Sequence, residues 1–188
     1  MEIQTTSIEG LLIIKPKFFN DKRGFFFEGF NAQRYADAGI TDHFVQDNFS
    51  LSQYGVIRGL HYQLAPFAQS KLVQVIKGKV LDVAVDIRKG SPTFGKYETV
   101  ELSDENRWQF YIPRGFAHGF SVLSEEALFH YKCDNYYNPQ SERGIIYNDP
   151  GLSIDWMLPE GKAVVSPKDC VLPLLAEAEI NFHHHTNY

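Results

Sequence analysis

The chain has 188 residues, with 18 Lys and Arg against 23 Asp and Glu, a net charge of −5 at neutral pH. With 44% hydrophobic and 22% charged residues it is neither disordered nor low-complexity, and its acidic balance excludes a general nucleic-acid binder. Its length suits one domain, residues 1–188, and no apolar run reaches the roughly 18 residues of a membrane span.

Fifteen Phe and ten Tyr against two Met favour sheets over a helical bundle. The opening Met1–Gly10 has neither the basic nor the apolar region of a signal peptide. Cys133 and Cys170 cannot build a disulfide framework and lack metal-ligand spacing. They read as reduced thiols of a cytoplasmic protein.

In chain order, Ile13-Ile14 and Phe25-Phe26-Phe27 flank the turn signal Asn20–Gly24 and predict two strands around it. Asn31 is placed to cap a short helix through Ala38, closed by Gly39. Leu72–Ile76, the turn Lys77-Gly78 and Val80–Arg88 predict a hairpin. In its second arm Asp82, Ala84, Asp86 and Arg88 alternate with Val83, Val85 and Ile87, which predicts one buried and one polar face. Strands follow at Tyr97–Leu102, Phe110–Ile112, Gly119–Leu123 and Ala127–Cys133, a spacing typical of an antiparallel sandwich or barrel. A last helix is expected at Leu172–Glu179. The tail from about residue 180, with His183–His185, reads as a flexible terminus rather than a metal site.

Three clusters carry candidate chemistry. Arg58-Gly59-Leu60-His61 and Lys71 bring two cations and an imidazole together. They read either as an ordinary surface loop or as a general base beside an oxyanion-stabilising ammonium. Pro113-Arg114-Gly115-Phe116-Ala117-His118 matches the second cupin motif, whose histidine often binds metal. The first motif's His-x-His is reduced here to His61-Tyr62-Gln63, so a metal set is incomplete. In Phe129–Cys133, Tyr131 shares a strand face with Phe129 and Cys133, either as a structural hydrogen-bonding group or as a proton donor to a ligand. Asp169, in Ser166-Pro167-Lys168-Asp169, suits a helix cap or a partner for a histidine.

Together these motifs, with Asp21–Glu28, Gln46-Asp47-Asn48 and Ser50, resemble the dTDP-4-dehydrorhamnose 3,5-epimerase family. Their order and spacing agree from about Gly10 to Asp169. The resemblance implies an all-β, cupin-like antiparallel jelly roll with a few short peripheral helices. It further implies a homodimer with exchanged N-terminal strands, and epimerisation of a dTDP-4-keto-6-deoxy sugar without metal or cofactor. By the same resemblance His61 is the base, Asp169 holds its imidazole, Tyr131 is the acid on the opposite face, and Lys71 meets the developing O4 oxyanion. Arg23, Glu28, Gln46, Asn48 and Arg58 match positions that hold the nucleotide and its diphosphate. Phe19 and Tyr137 offer ring faces to base or sugar, and Asp82 and His118 line the pocket. Three rival readings stand beside this one. They are a relative inverting C3 alone or taking another nucleotide sugar, a non-catalytic sugar-nucleotide-binding cupin, and a metal-dependent cupin enzyme.

Overall fold

Short alternating segments bury an apolar face only by stacking sheet on sheet. In the computed structural model, which describes residues 1–185, they do so. The first half of the chain forms β1 (Glu2–Thr5), β2 (Leu12–Lys15), β3 (Phe19–Asp21), β4 (Gly24–Phe26), helix α1 (Ala32–Asp37), β5 (Gln46–Gln53), β6 (Val56–Gln63) and β7 (Lys71–Lys77). The second half adds β8 (Lys79–Asp86), β9 (Tyr97–Ser103), β10 (Gln109–Ile112), β11 (Phe116–Val122), β12 (Glu126–Cys133), β13 (Glu142–Gly144) and β14 (Val164–Val165). A 3-10 turn follows at Asp169–Val171.

One sheet runs β1-β2-β10-β7-β12-β5, and the facing sheet runs β13-β6-β11-β8-β9 with β14 beside β6. Every pairing between these strands is antiparallel except that of β14 with β6. The all-β jelly-roll expectation therefore holds. Val73, Phe110 and Phe129 of the first sheet meet Ala84, Val100 and Phe120 of the second to form the inner core. A second core, with Val83, Val85, Ile145, Trp156 and Phe182, covers the back of the second sheet. Tyr35 and Ile40 cover Ile14 and Leu72 on the other side.

Helix α1 forms as read, with the Asn31 side chain accepting from the Arg34 amide and Gly39 at φ +89°. Several local expectations are corrected. β7 and β8 do not form a hairpin, because they belong to opposite sheets and Lys77-Gly78 is the corner between them. Nor does β8 show a solvated polar face: Asp82 and Asp86 are fully buried along with its valines. The N-terminal hairpin pairs Phe19–Asp21 with Gly24–Phe26, while Ile13-Ile14 joins the first sheet.

Residues Leu172–Glu179 are not helical; Leu175 N–H donates to Asp149 Oδ2 at 2.6 Å and Ile146 N–H to the Pro173 carbonyl at 2.9 Å. These partners lie elsewhere in the chain, so they replace helical ones. Part of the tail read as flexible packs against the rest of the chain. Ile180 and Phe182 are buried, and His184 N–H donates to the Lys89 carbonyl at 2.9 Å. Its last part, Thr186–Tyr188, lies outside the described residues.

Candidate active site

The segment Arg58–His61, for which a surface loop stood as one reading, is strand β6, and its register explains why it carries chemistry. His118 pairs with His61 and Phe120 with Arg58, so β6 holds one residue more than β11 across this interval. That bulge falls at Gly59, with φ +119°, where an added Cβ would lie 2.5 Å from Gly119 Cα. In a regular strand Arg58 and His61 would point to opposite faces; the bulge turns both into one cavity.

This cavity, of about 430 Å³, lies between the sheets. His61, Arg58 and His118 enter it from the second sheet, and Lys71, Tyr131, Phe129 and Ser50 from the first. The His61 ring donates from Nε2 to Asp169 Oδ1 at 2.8 Å, leaving its other ring nitrogen without a proton. Burial works to raise the Asp169 carboxyl, but the hydrogen bonds from His61, Gly59 and Ser166 hold it below the usual carboxylate range. Asp169 is thus the histidine's partner, and it opens the 3-10 turn.

Behind the cavity, His118 Nε2 lies 3.0 Å from both oxygens of the buried Asp82. Burial lowers the His118 pKa against the opposing pull of Asp82, which favours a neutral ring. Lys71 Nζ stands 5.8 Å from the Tyr131 ring centroid. Burial lowers the Lys71 ammonium, opposed by the negative fields of Asp82 and Glu142. Burial also raises the Tyr131 phenol, which keeps its proton in place at neutral pH.

A second recess of about 230 Å³ shares His61, Lys71 and Tyr131 and adds Gln46, Asn48, Gln63 and Tyr137. Glu142 closes it, accepting from the Tyr137 hydroxyl at 2.8 Å and the Lys168 ammonium at 2.6 Å. Sequence reasoning missed Glu142, an acidic residue in a polar segment with no pattern to distinguish it. Arg58 donates from Nε to Ser52 Oγ at 2.9 Å, which aims the rest of its guanidinium.

Three expected binding residues lie elsewhere in the chain. Arg23 pairs with Asp21 at 2.6 Å on the β3–β4 hairpin, beside the exposed Phe19. Glu28 pairs with Arg34 at 3.0 Å. Among the described residues, no group of three or more His, Cys, Asp or Glu is arranged to hold a metal ion, and no helix is long and apolar enough to cross a membrane.

Comparison with known proteins follows the same line as the geometry. The family model described as dTDP-4-dehydrorhamnose 3,5-epimerase matches residues 5–177. The chain is 54% identical to the dTDP-4-dehydrorhamnose 3,5-epimerase of Shigella flexneri, over 90% of this chain and 93% of that one. It is 51% identical to that of Salmonella typhimurium, over 95% and 97%. Its fold superposes with a TM-score of 0.90 on the crystal structure of dTDP-6-deoxy-D-glucose-3,5-epimerase from Legionella pneumophila in complex with dTDP-4-keto-L-rhamnose. That protein is 58% identical, with 94% and 93% of the chains covered.

Proposed function

The chain belongs to the dTDP-4-dehydrorhamnose 3,5-epimerase family, and from that premise we propose that His61, Asp169, Lys71 and Tyr131 perform the epimerisation here. The enzyme is an isomerase that inverts C3 and C5 of dTDP-4-dehydro-6-deoxy-D-glucose to give dTDP-4-dehydro-L-rhamnose, in dTDP-L-rhamnose biosynthesis. The observation that carries the assignment of residues is that His61 and Tyr131 enter one cavity from opposite sheets. A sugar ring lying between them presents one face to each.

The 4-keto group acidifies the hydrogens on C3 and C5. His61 takes a proton from carbon, and the electron pair moves into an enolate whose charge settles on O4. Asp169 keeps the imidazole oriented and stabilises it once protonated. Lys71 faces the O4 charge as it forms, in a site where burial strengthens the attraction. Tyr131 then gives its phenolic proton to the carbon from the other face, which inverts the centre, and solvent restores both groups.

Arg58, Gln46, Asn48, Tyr137 and His118 bind the nucleotide sugar in this reading. Arg23, Glu28 and Phe19 do so from the partner of a homodimer with exchanged N-terminal strands. The exposed Phe19, Phe25 and Phe26 of the β3–β4 hairpin, and Phe49, Leu51 and Ile76 on the outer face of the first sheet, support such an association. Sedimentation as a single chain at working concentration would overturn it. We place the enzyme in the cytoplasm, where its unpaired Cys133 and Cys170 stay reduced. Recovery in an oxidising compartment contradicts that.

Proton NMR of the 4-keto substrate in heavy water tests the activity: signals at both C3 and C5 are expected to disappear. Exchange at C3 alone makes this a single-centre enzyme, and exchange at neither refutes the assignment. Tyr131→Phe separates the two proton transfers. Removal of a proton by His61 and its return from the same face survive, so exchange is expected to continue while inverted product falls by about 10²–10⁴-fold. Loss of nucleotide affinity instead would make Tyr131 a structural residue.

A further inference from the structure

Strand β5 is built inside out. Its outward residues include the exposed Phe49 and Leu51, whereas Gln46, Asn48, Ser50 and Ser52 share the inward face. Three of these four polar groups are used within the protein. Gln46 donates to Asn48 Oδ1 at 3.1 Å and accepts from the Tyr137 amide, Asn48 contacts Cys133 Sγ at 3.9 Å, and Ser52 accepts from Arg58. The fourth, Ser50 Oγ, is buried and has no hydrogen-bond partner in the protein; among the described residues it is the one such buried side-chain atom. It lines the catalytic cavity with His61, Lys71 and Tyr131. Buried polar atoms are almost always paired, so a lone hydroxyl on a residue that lines a ligand cavity is free to turn about its Cα–Cβ bond toward a group on the ligand.

The chemistry of the substrate selects that group. C1 of the sugar carries the diphosphate, C4 the carbonyl that Lys71 faces, and C6 is a methyl. The C3 hydroxyl changes orientation when its centre inverts. Of the two hydroxyls on the ring, that of C2 alone keeps its configuration from substrate to product. We propose that Ser50 is a specificity residue whose hydroxyl hydrogen-bonds the sugar C2 hydroxyl, holding the ring while C3 and C5 are inverted. This rests on the epimerase reading of the same cavity.

The test is a binding cycle by calorimetry, using wild type and Ser50→Ala with dTDP, dTDP-glucose and dTDP-2-deoxyglucose. Wild type is expected to bind dTDP-glucose about tenfold more tightly than its 2-deoxy counterpart, the scale of one neutral hydrogen bond. Ser50→Ala is expected to bind the two sugars alike and dTDP unchanged, with kcat/KM on the 4-keto substrate about tenfold down and Tm not lowered. Retention of the wild-type preference by Ser50→Ala overturns the proposal. So does an equal loss for dTDP alone, or a fall in Tm that accounts for the loss. If wild type fails to exchange protons at C3 and C5, the epimerase assignment falls, while the binding cycle still decides the role of Ser50.

Discussion

Replacement of His61 by alanine is expected to bring proton exchange at both C3 and C5 down to background while dTDP binding stays close to wild type. His61 is the imidazole whose ring is anchored by a buried carboxylate and also opens into the main cavity; the cavity's other histidine, His118, spends Nε2 on Asp82. General-base catalysis by a placed group contributes about 10²–10⁴-fold, and with His61 proposed as the base at both centres the two losses are expected together. Folding survives the change, because the ring is part-exposed and the β6 backbone pairing does not involve it. Asp169→Asn is expected to act in the same direction but less, since it removes the charge that stabilises the imidazolium and leaves the base. The depressed carboxyl of Asp169 contributes stability above its unfolded pKa, and that contribution fades as pH falls through the folded value. This carboxylate therefore stays ionised near neutral pH. Retained exchange in His61→Ala would remove His61 as the base.

The second large effect is expected at Lys71. Its ammonium stands on the first residue of β7, beside Tyr131. Loss of one preorganised donor to an oxyanion costs about 3–4 kcal/mol of barrier, so Lys71→Ala should lower kcat by about 10²–10³-fold. The enolate bears the full charge while the ground-state ketone bears little, so KM should move far less than kcat. Single-turnover measurements of C3 exchange with wild type and variant check this directly. A rise in KM with kcat unchanged would show that Lys71 only binds substrate.

Much of this was legible locally. The Asn31 cap, the break at Gly39 and strands β9 to β12 follow from short-range chemistry, and the structure has them near the positions read. Long-range errors share one cause. A two-residue turn between apolar runs looks the same whether it closes a hairpin or turns a sandwich corner. Lys77-Gly78 does the second because β8 buries both faces: Val80 and Ala84 meet Val73 and Val75 of β7 in the inner core, while Val83 and Val85 join the second core. β5 escaped notice because its polar side faces in, and Glu142 because nothing near it is periodic.

The sequence alone determined the chemical inventory: an imidazole, a phenol, a lysine and a carboxylate in recognisable motifs, on a chain whose short alternating strands must stack as sheets. Those are properties of residue type and near-neighbour spacing. Tertiary structure decided which groups meet. His61 and Asp169 are 108 positions apart and touch at 2.8 Å, and the Gly59 bulge turns Arg58 and His61 to the same side. Ser50 Oγ is left without a hydrogen-bond partner in the protein where β5 is seated at the edge of the first sheet. Contacts of this kind depend on strand pairing across the whole chain, and pairing is chosen by the burial of both faces of each sheet together.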